Sequence, residues 1–420
     1  MTSEHDQTRQ RQLKRRQELK RQRQLKKQKN KRIAFIIIGI LALVGICALV
    51  TSLTRHVSQP EPTEASTTAT KPKDTLEEPE TVITIAFGGD VNITDKVVGV
   101  EDYTTLLKDI VPLFAGADSA AVNFEGNLCG APYGTSGTRA PQELAQAMSA
   151  AGVDMMQIAN SCTINNGLLG LSQTVQGIRD AGMEPLGAYG SDAEAEKYKG
   201  FTLRSIGGVK VAFVAFTKGM DNLALPEGSE GRVNLLYKDY TSTYQELDTD
   251  GIRQLLQAVE LEQPDITIAM LHWGSEYNNQ VSQSQTEIVE LMQKEGVDAI
   301  VGTHSHYVQK LEFDDRAGTV VAYSLGDLLG DAEKEGTAYS IVLQLEITRN
   351  NSTGETKITN MNYVPLYTVT EETESGTTMR ILRIDEAIAA YEANSINKVS
   401  DEVYAAMKAA QSRITSRVEG

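Results

Sequence analysis

The run Val301-Gly302-Thr303-His304-Ser305-His306 closes an apolar stretch, Asp298–Val301, with two imidazoles at i and i+2. On extended backbone that spacing turns both rings to one side. Neutral imidazole is the commonest protein metal ligand, and a close pair supplies two donors at once. Of the five histidines, His5 and His56 flank a long apolar segment, and His272 ends another apolar run, Ile266–Leu271. The alternative is a set of core or capping histidines satisfied by hydrogen bonds. Three histidines at strand ends favour ligation over that reading.

Other chemistry-bearing residues also stand where apolar runs stop. They occur in Gly89-Asp90, Asn123-Phe124-Glu125, Ala159-Asn160-Ser161-Cys162 and His272-Trp273-Gly274-Ser275-Glu276. Each alone reads as a turn or a helix cap; the series is informative because ligands bind at the carboxyl ends of strands in α/β sheets. Asp90 and Glu125 with three imidazoles make a mixed nitrogen and oxygen set suited to Mn, Fe or Zn, as one ion or a close pair.

The elements that must position these residues alternate. The strand Val82–Phe87 is followed by an amphipathic pattern, Tyr103, Leu106, Leu107, Ile110, Val111 and Phe114, at helical spacing. Further apolar runs lie at Ala120–Phe124, Asp154–Ala159 and Val209–Thr217, with helical patterns at Ser172–Ala181, Ile252–Val259 and Thr286–Glu295. This is the pattern of an α/β domain with buried, mostly parallel strands. Thr319–Leu325, Tyr339–Ile347 and Thr356–Tyr363 follow with little helix between them, as antiparallel strands of an edge or second sheet. Asp385–Glu392 and Asp401–Thr415 read as terminal helices, the second capped by Ser400.

The formal charge of −16 argues against a nucleic-acid partner, but it conceals a division. Residues 1–32 hold 13 Lys/Arg against 3 Asp/Glu, leaving 27 against 53 in the remainder. Between arm and body, Ile33–Leu53 is 21 residues without a charge, long enough to cross a bilayer as one helix. The basic excess before it places the N-terminus in the cytoplasm and the acidic body outside. Thr54–Glu80 holds four of the eleven prolines and no apolar periodicity, as a disordered stalk does. The expected parts are therefore a basic cytoplasmic arm (1–32), a transmembrane helix (33–53), an extracellular stalk (54–80), an α/β domain (81–370) and C-terminal helices packing on or extending it (371–420).

Gly-Gly-Asp90, Asn-Phe-Glu125, Ala-Asn160, His272-Trp-Gly-Ser-Glu276-Tyr, Gly-Thr-His304-Ser-His306 and Tyr323-Ser-Leu-Gly-Asp327 together resemble the successive motifs of the CapA family. Members are capsule and poly-γ-glutamate biosynthesis proteins with a calcineurin-like metallophosphatase fold. The resemblance runs from Val82 to Leu329 and implies a four-layer α/β/β/α sandwich. It also implies work on an anionic cell-surface polymer or its precursor, beside other capsule-synthesis subunits at the membrane. Asp90, Glu125, Asn160, His272, His304 and His306 would bind divalent metal, with Glu276 and Asp327 acting at the site by orienting ligands. The chain departs from the family's Ala-Asn-Asn-His: Ser161 replaces an Asn that bridges metal, and Cys162 a His that donates a proton. Asp327 stands where the family has Asn.

Two readings follow from the resemblance: a metal-dependent hydrolase or transferase, and a non-catalytic accessory or polymer-binding scaffold with a degenerate site. A surface phosphoesterase of the 5′-nucleotidase kind shares the ligand set, but the chain shows no separate nucleoside-stacking domain. The acidity of the body opposes direct binding of a polyanion unless a metal or a local basic patch offsets it. In an oxidising compartment Cys129 and Cys162 are expected to pair, joining the Glu125 and Asn160 loops.

Overall fold

The computed structural model describes residues 79–373, 376–396 and 398–419. The arm, the apolar segment 33–53 and the stalk as far as residue 78 lie outside the described residues. Among the described residues no helix is long and apolar enough to cross a membrane.

Fourteen strands are described, in two sheets. The first eight in chain order are β1 (Glu80–Asn92), β2 (Ser119–Glu125), β3 (Met155–Gln157), β4 (Glu184–Leu186), β5 (Phe201–Ile206), β6 (Val209–Thr217), β7 (Ile266–His272) and β8 (Ala299–Thr303). They are followed by β9 (Leu311–Asp314), β10 (Thr319–Ala322), β11 (Asp327–Leu329), β12 (Tyr339–Asn350), β13 (Thr356–Thr373) and β14 (Gly376–Arg383). One sheet runs β14-β13-β12-β1-β2-β3-β4, with β11 also paired to β1; the other runs β5-β6-β7-β8-β10-β9. In the first, β1 to β4 are mutually parallel, and in the second β6, β7, β8 and β10 are.

Strand alternation assigns the faces. Ile83, Ile85 and Phe87 of β1 meet Val211, Phe213, Ile268, Met270 and Val301 in the core between the sheets. Ala86, Val122 and Met156 face the other way, against Leu144, Met148, Leu171 and Val175 of helices Gln142–Ala150 and Gly167–Asp180. On the outer face of the second sheet, Val214, Phe216, Leu271 and Ile300 pack on Ile252, Leu256, Ile288 and Met292. Helices thus cover both outer faces of a two-sheet sandwich. Helix Thr249–Glu262 is capped by Asp248, and Gln283–Lys294 opens with a capping box of Ser282 and Gln285, three residues before the expected start.

The fold differs from expectation in four places. The pattern 103–114 forms two short helices, Tyr103–Leu107 and Val111–Phe114, because Pro112 has no N–H to continue a single helix and suits a first turn. Strand β10 pairs parallel to β8 and antiparallel to β9, so only part of the late region is antiparallel. The boundary at 370 falls inside β13, and Gly376–Arg383 is a strand paired with it. The two terminal helices, Ile384–Glu392 and Asp401–Glu419, then bury Ile384, Ile388, Met407 and Ile414 in the core that β13 and β14 share. Ser400 does cap the second, through the Val403 amide.

The ends of the parallel strands opposite the chemistry share one device. Asp118, Asp154, Asp265 and Asp298 immediately precede β2, β3, β7 and β8. Their carboxylates accept from Thr84, Ala120, Lys210 and Thr267 N–H on the neighbouring strand at 2.8, 2.8, 2.9 and 2.8 Å. Each Asp N–H donates back to the carbonyl of the same residue. These reciprocal pairs set register before the ladder begins.

Burial pushes the Asp298 carboxyl up to about 6, against the opposing Thr267 hydrogen bond. Its unfolded value is lower, so between about pH 4 and 6 the unfolded chain releases a proton that the folded one retains, and stability falls as pH rises. Asp298→Asn keeps an acceptor for Thr267 and removes the charge. It is expected to flatten that slope and to stabilise the domain at pH 7 by about 1–2 kcal/mol in urea unfolding. An unchanged slope would show that this carboxyl does not titrate in that window.

Candidate metal centre

The carboxyl ends of β1, β2, β7 and β8 converge where the two sheets meet. Pairing of β1 with β2 shifts register between Phe87 and Asp90. Within that irregularity a Cβ on Gly89 would overlap the Gly326 carbonyl, so only glycine lets the two backbones approach. The Asp90 N–H donates to the same carbonyl at 3.0 Å, and the side chain is fully buried. One Asp90 oxygen accepts from Asn123 Nδ2 at 2.6 Å and the other from the His304 N–H at 3.0 Å.

Two groups of three possible ligands share this carboxylate. Asp90, Glu125 and His272 have ligand atoms within 4.8 Å of one another, as do Asp90, His306 and Asp327, and all five residues are buried. Glu125 Oε1 lies 3.6 Å from His272 Nδ1, and Asp327 Oδ1 lies 2.8 Å from His306 Nδ1. A carboxylate common to two neighbouring sites is the arrangement that holds a close pair of divalent ions.

The electrostatics fit positive charge placed there. Burial raises the pKa of Asp90, opposed by the His306 charge and the Asn123 amide. Burial, then repulsion from Asp90, pushes Glu125 well up, and burial brings Asp327 to about 6. Burial works against a charge on His306, yet Asp327, with Glu125 and Asp90, outweighs it and raises His306 to about 11. Burial, reinforced by neighbouring cationic groups, holds His272 and His304 well below their ordinary value, in the neutral form that ligates metal. A divalent cation among these three buried carboxyls would favour their ionised forms.

His304 stands outside both groups. Its ring lies 4.4 Å from that of His272 and 6.4 Å from that of His306. Both of its ring nitrogens are buried without a hydrogen-bond partner, which is costly unless a ligand takes one. The backbone here is not extended as the i, i+2 argument assumed. His304 and His306 have φ of +87° and +59°, a bend that brings the His304 N–H to Asp90. Tyr277 then stacks on His306, with centroids 4.8 Å apart and planes 13° apart.

Asn160 is engaged at both ends of its side-chain amide. Its Nδ2 donates to Asn123 Oδ1 at 3.0 Å and the Phe124 carbonyl at 2.7 Å, and its oxygen accepts from the Cys162 N–H at 3.0 Å. It therefore orients Asn123, a residue quoted in the Asn-Phe-Glu motif but not singled out. Asn123 Nδ2 lies 3.1 Å from Glu125 Oε1 and 3.3 Å from His272 Nδ1, besides its bond to Asp90. The i, i+2 spacing of Asn123 and Glu125, which turns both to one face, was the available signal. Ser161 Oγ is 2.9 Å from His272 Nε2 and fixes that ring from behind.

Glu276 is exposed and outside both groups. Sequence reading also missed Lys218, just past the end of β6. Its N–H donates to the His272 carbonyl, and its ammonium donates to the Gly274 carbonyl at 3.0 Å. Burial lowers its pKa, although Glu276 and Asp221 oppose the shift.

Cys129 and Cys162 are free thiols, so the expected disulfide is corrected. Asn127 pairs with Thr138 and Ala140, and the Leu128 N–H is held by Thr174, which leaves Cys129 half-buried beyond them. Cys162 is instead buried, where desolvation and then Glu125 keep its thiol neutral.

Residues 84–332 match the family model described as "Bacterial capsule synthesis protein PGA_cap". The PGA biosynthesis protein CapA of Bacillus subtilis (strain 168) is 24% identical over 289 residues, 66% of this chain and 71% of the relative. The capsule biosynthesis protein CapA of Bacillus anthracis is 25% identical over 225 residues, 53% of this chain and 51% of the relative; the chain thus spans about half of that protein's length. Among solved structures, the calcineurin-like phosphoesterase YfkN from Bacillus subtilis is similar with a TM-score of 0.40 at 16% identity, covering 81% of this chain and 100% of that chain. With more than half of its 420 residues inside the family match, and with that match spanning Asp90 to Asp327, the chain belongs to the bacterial capsule synthesis protein PGA_cap family.

Proposed function

We propose that the chain is a membrane-anchored protein of capsule or poly-γ-glutamate biosynthesis whose outer domain is a metal-dependent hydrolase or transferase. Its substrate class is an anionic cell-surface polymer or its precursor, handled together with other capsule-synthesis subunits. The segment Ile33–Leu53 supports a single-pass anchor with a cytoplasmic arm. The observation that carries the chemistry is the pair of ligand groups sharing Asp90.

In this reading Asp90, Glu125, His272, His306 and Asp327 hold one or two divalent transition ions, and His304 offers a further nitrogen beside them. A bound divalent ion supplies Lewis-acid polarisation of a phosphoryl or carbonyl oxygen and acidifies water to make a nucleophile. The protein's residues keep that geometry rigid. Asn123 spaces Asp90 from Glu125, Ser161 and Thr303 fix the His272 ring, and Tyr277 covers His306.

Ser161 and Cys162 stand where the family pattern supplies a bridging amide and a proton donor. A neutral thiol is a poor acid, so departure of an amine from an amide would be unassisted. Phosphoester cleavage, whose leaving group needs less help, suits the site better. The same departure supports the second reading, a scaffold that retains metal without turnover.

Chelated protein is expected to melt higher after Mn²⁺ or Zn²⁺ is restored, by about 2.7 kcal/mol of stability at a hundredfold excess over Kd. Asp90→Asn removes the shared ligand and should abolish the rise. A rise of equal size in Asp90→Asn would place the metal elsewhere.

Turnover separates the two functional readings. With Mn²⁺ restored, hydrolysis of bis-p-nitrophenyl phosphate should be measurable and should fall at least a hundredfold in His304→Ala and Asp90→Asn. Full metal occupancy with no turnover of this or a polymer phosphoester would sink the hydrolase reading and leave the scaffold.

A further inference from the structure

A groove of about 1010 Å³ runs beside the metal centre, between the last helix, Asp401–Glu419, and the segment that follows His306. Tyr307, Lys310, Tyr339, Arg413 and Arg417 line it. In a chain whose formal charge is −16, three cations on one groove are a local reversal of sign. Glu335 is the acidic residue on the same lining.

Arg417 is held in an unusual way. Its guanidinium lies 5.2 Å from the Tyr307 ring centroid and 5.3 Å from that of Tyr339. It makes no ion pair with a carboxylate among the described residues, and one terminal nitrogen is buried without a hydrogen-bond partner. Tyr339 is only 3% exposed, and its hydroxyl also lacks a partner. Two buried polar groups on one groove wall, both able to donate, are costly without an acceptor. The other cations are held by exchangeable contacts: Lys310 pairs with Glu312 at 3.2 Å and Arg413 with Glu335 at 2.9 Å, in substantially exposed pairs. Such pairs contribute little, so an incoming anion displaces them easily.

A run of rings links the groove wall to His306. Tyr277 stacks on His306 and meets the Tyr307 ring edge-on at 6.1 Å, and Tyr307 carries Arg417. Tyr277 also lies under the Lys334 ammonium, 3.2 Å from its ring centroid.

We propose that this groove is a binding site for a carboxylate-bearing polymer segment, with Arg417 and the Tyr339 hydroxyl taking one carboxylate and Lys310 and Arg413 its neighbours. A guanidinium braced by aromatic rings presents a planar donor edge that matches a carboxylate. The groove has room for several residues of an extended chain, which would enter the metal centre past Tyr277. This deepens the proposed function and rests on it for the identity of the polymer, but the groove does not need metal.

The test is calorimetric titration of the full chain with γ-linked hexaglutamate at low ionic strength, with metal content measured on the same samples. Arg417→Gln should weaken binding at least tenfold with an unchanged melting temperature, Arg417→Lys less, and Tyr339→Phe about threefold. Wild-type protein stripped of metal with EDTA should bind as tightly as metal-loaded protein. Undiminished affinity in folded Arg417→Gln overturns the proposal. So does loss of binding in metal-stripped wild type alone, which would put the peptide on the metal site. If inorganic phosphate occupies the site and the peptide does not, the carboxylate assignment is wrong. Arg417-dependent peptide binding in protein that takes up no metal would support the groove and sink the metal-dependent function.

Discussion

Asp90 ties the two sheets together at the point where the chemistry gathers. It sits on β1 of the first sheet, yet one of its oxygens takes the backbone N–H of His304, just beyond β8 of the second. The other takes the side-chain amide of Asn123 on the adjacent strand. A buried carboxylate without those two donors would be strongly destabilising. The surrounding features follow from this requirement. Gly89 lets the Gly326 backbone come close enough to hold Asp90 in place, and the left-handed φ at His304 turns its amide inward. Strain at His304 and His306 is therefore coupled to the site rather than incidental to it.

The strand ends were legible from sequence because buried parallel strands are apolar runs, and a polar residue ending such a run must be satisfied or used. That argument located Asp90, Glu125, His272 and the His304–His306 turn. It failed where satisfaction depends on a partner distant in sequence. The Asn160 amide nitrogen donates to Asn123, 37 residues away, and Lys218 meets the turn at Gly274, 56 residues on. Compartment and loop proximity favour pairing of Cys129 with Cys162, but hydrogen bonds at Asn127 and Leu128 govern where Cys129 goes. Strand β14 was hidden for another reason. Gly376–Arg383 is short and rich in Thr and Arg, and its partner β13 supplies the long edge that makes it a strand. The aspartates preceding β2, β3, β7 and β8 form a recurring sequence signal that composition and periodicity alone do not expose.

Charge is distributed by role. The candidate metal centre concentrates buried carboxyls, and Asp327, with Glu125 and Asp90, raises His306 to about 11 against its burial. The body as a whole is acidic, which repels a polyanion at long range. On the proposed reading, approach of such a polymer would depend on local reversals of sign, and the Arg417 groove is one, its Tyr307 two ring contacts from His306. A bound divalent ion would supply the other. Neither reversal is large enough to change the sign of the whole surface, so recognition would be confined to one track rather than spread across the domain.

The residues at positions 161 and 162 set what such a track could deliver. Ser161 spends its hydroxyl on His272 Nε2, which fixes the ring and leaves Nδ1 facing Glu125. Cys162 is buried and neutral, its backbone N–H donating to the Asn160 side-chain oxygen rather than its thiol being poised by a base. A thiol in that setting is neither an activated nucleophile nor an efficient acid. The site therefore keeps the parts that bind and polarise and lacks an evident part that protonates a leaving group. Bonds whose leaving group departs as a stable anion match that equipment, whereas amide bonds do not. If the proposed hydrolase reading holds, a phosphoester would suit the centre better than an amide bond.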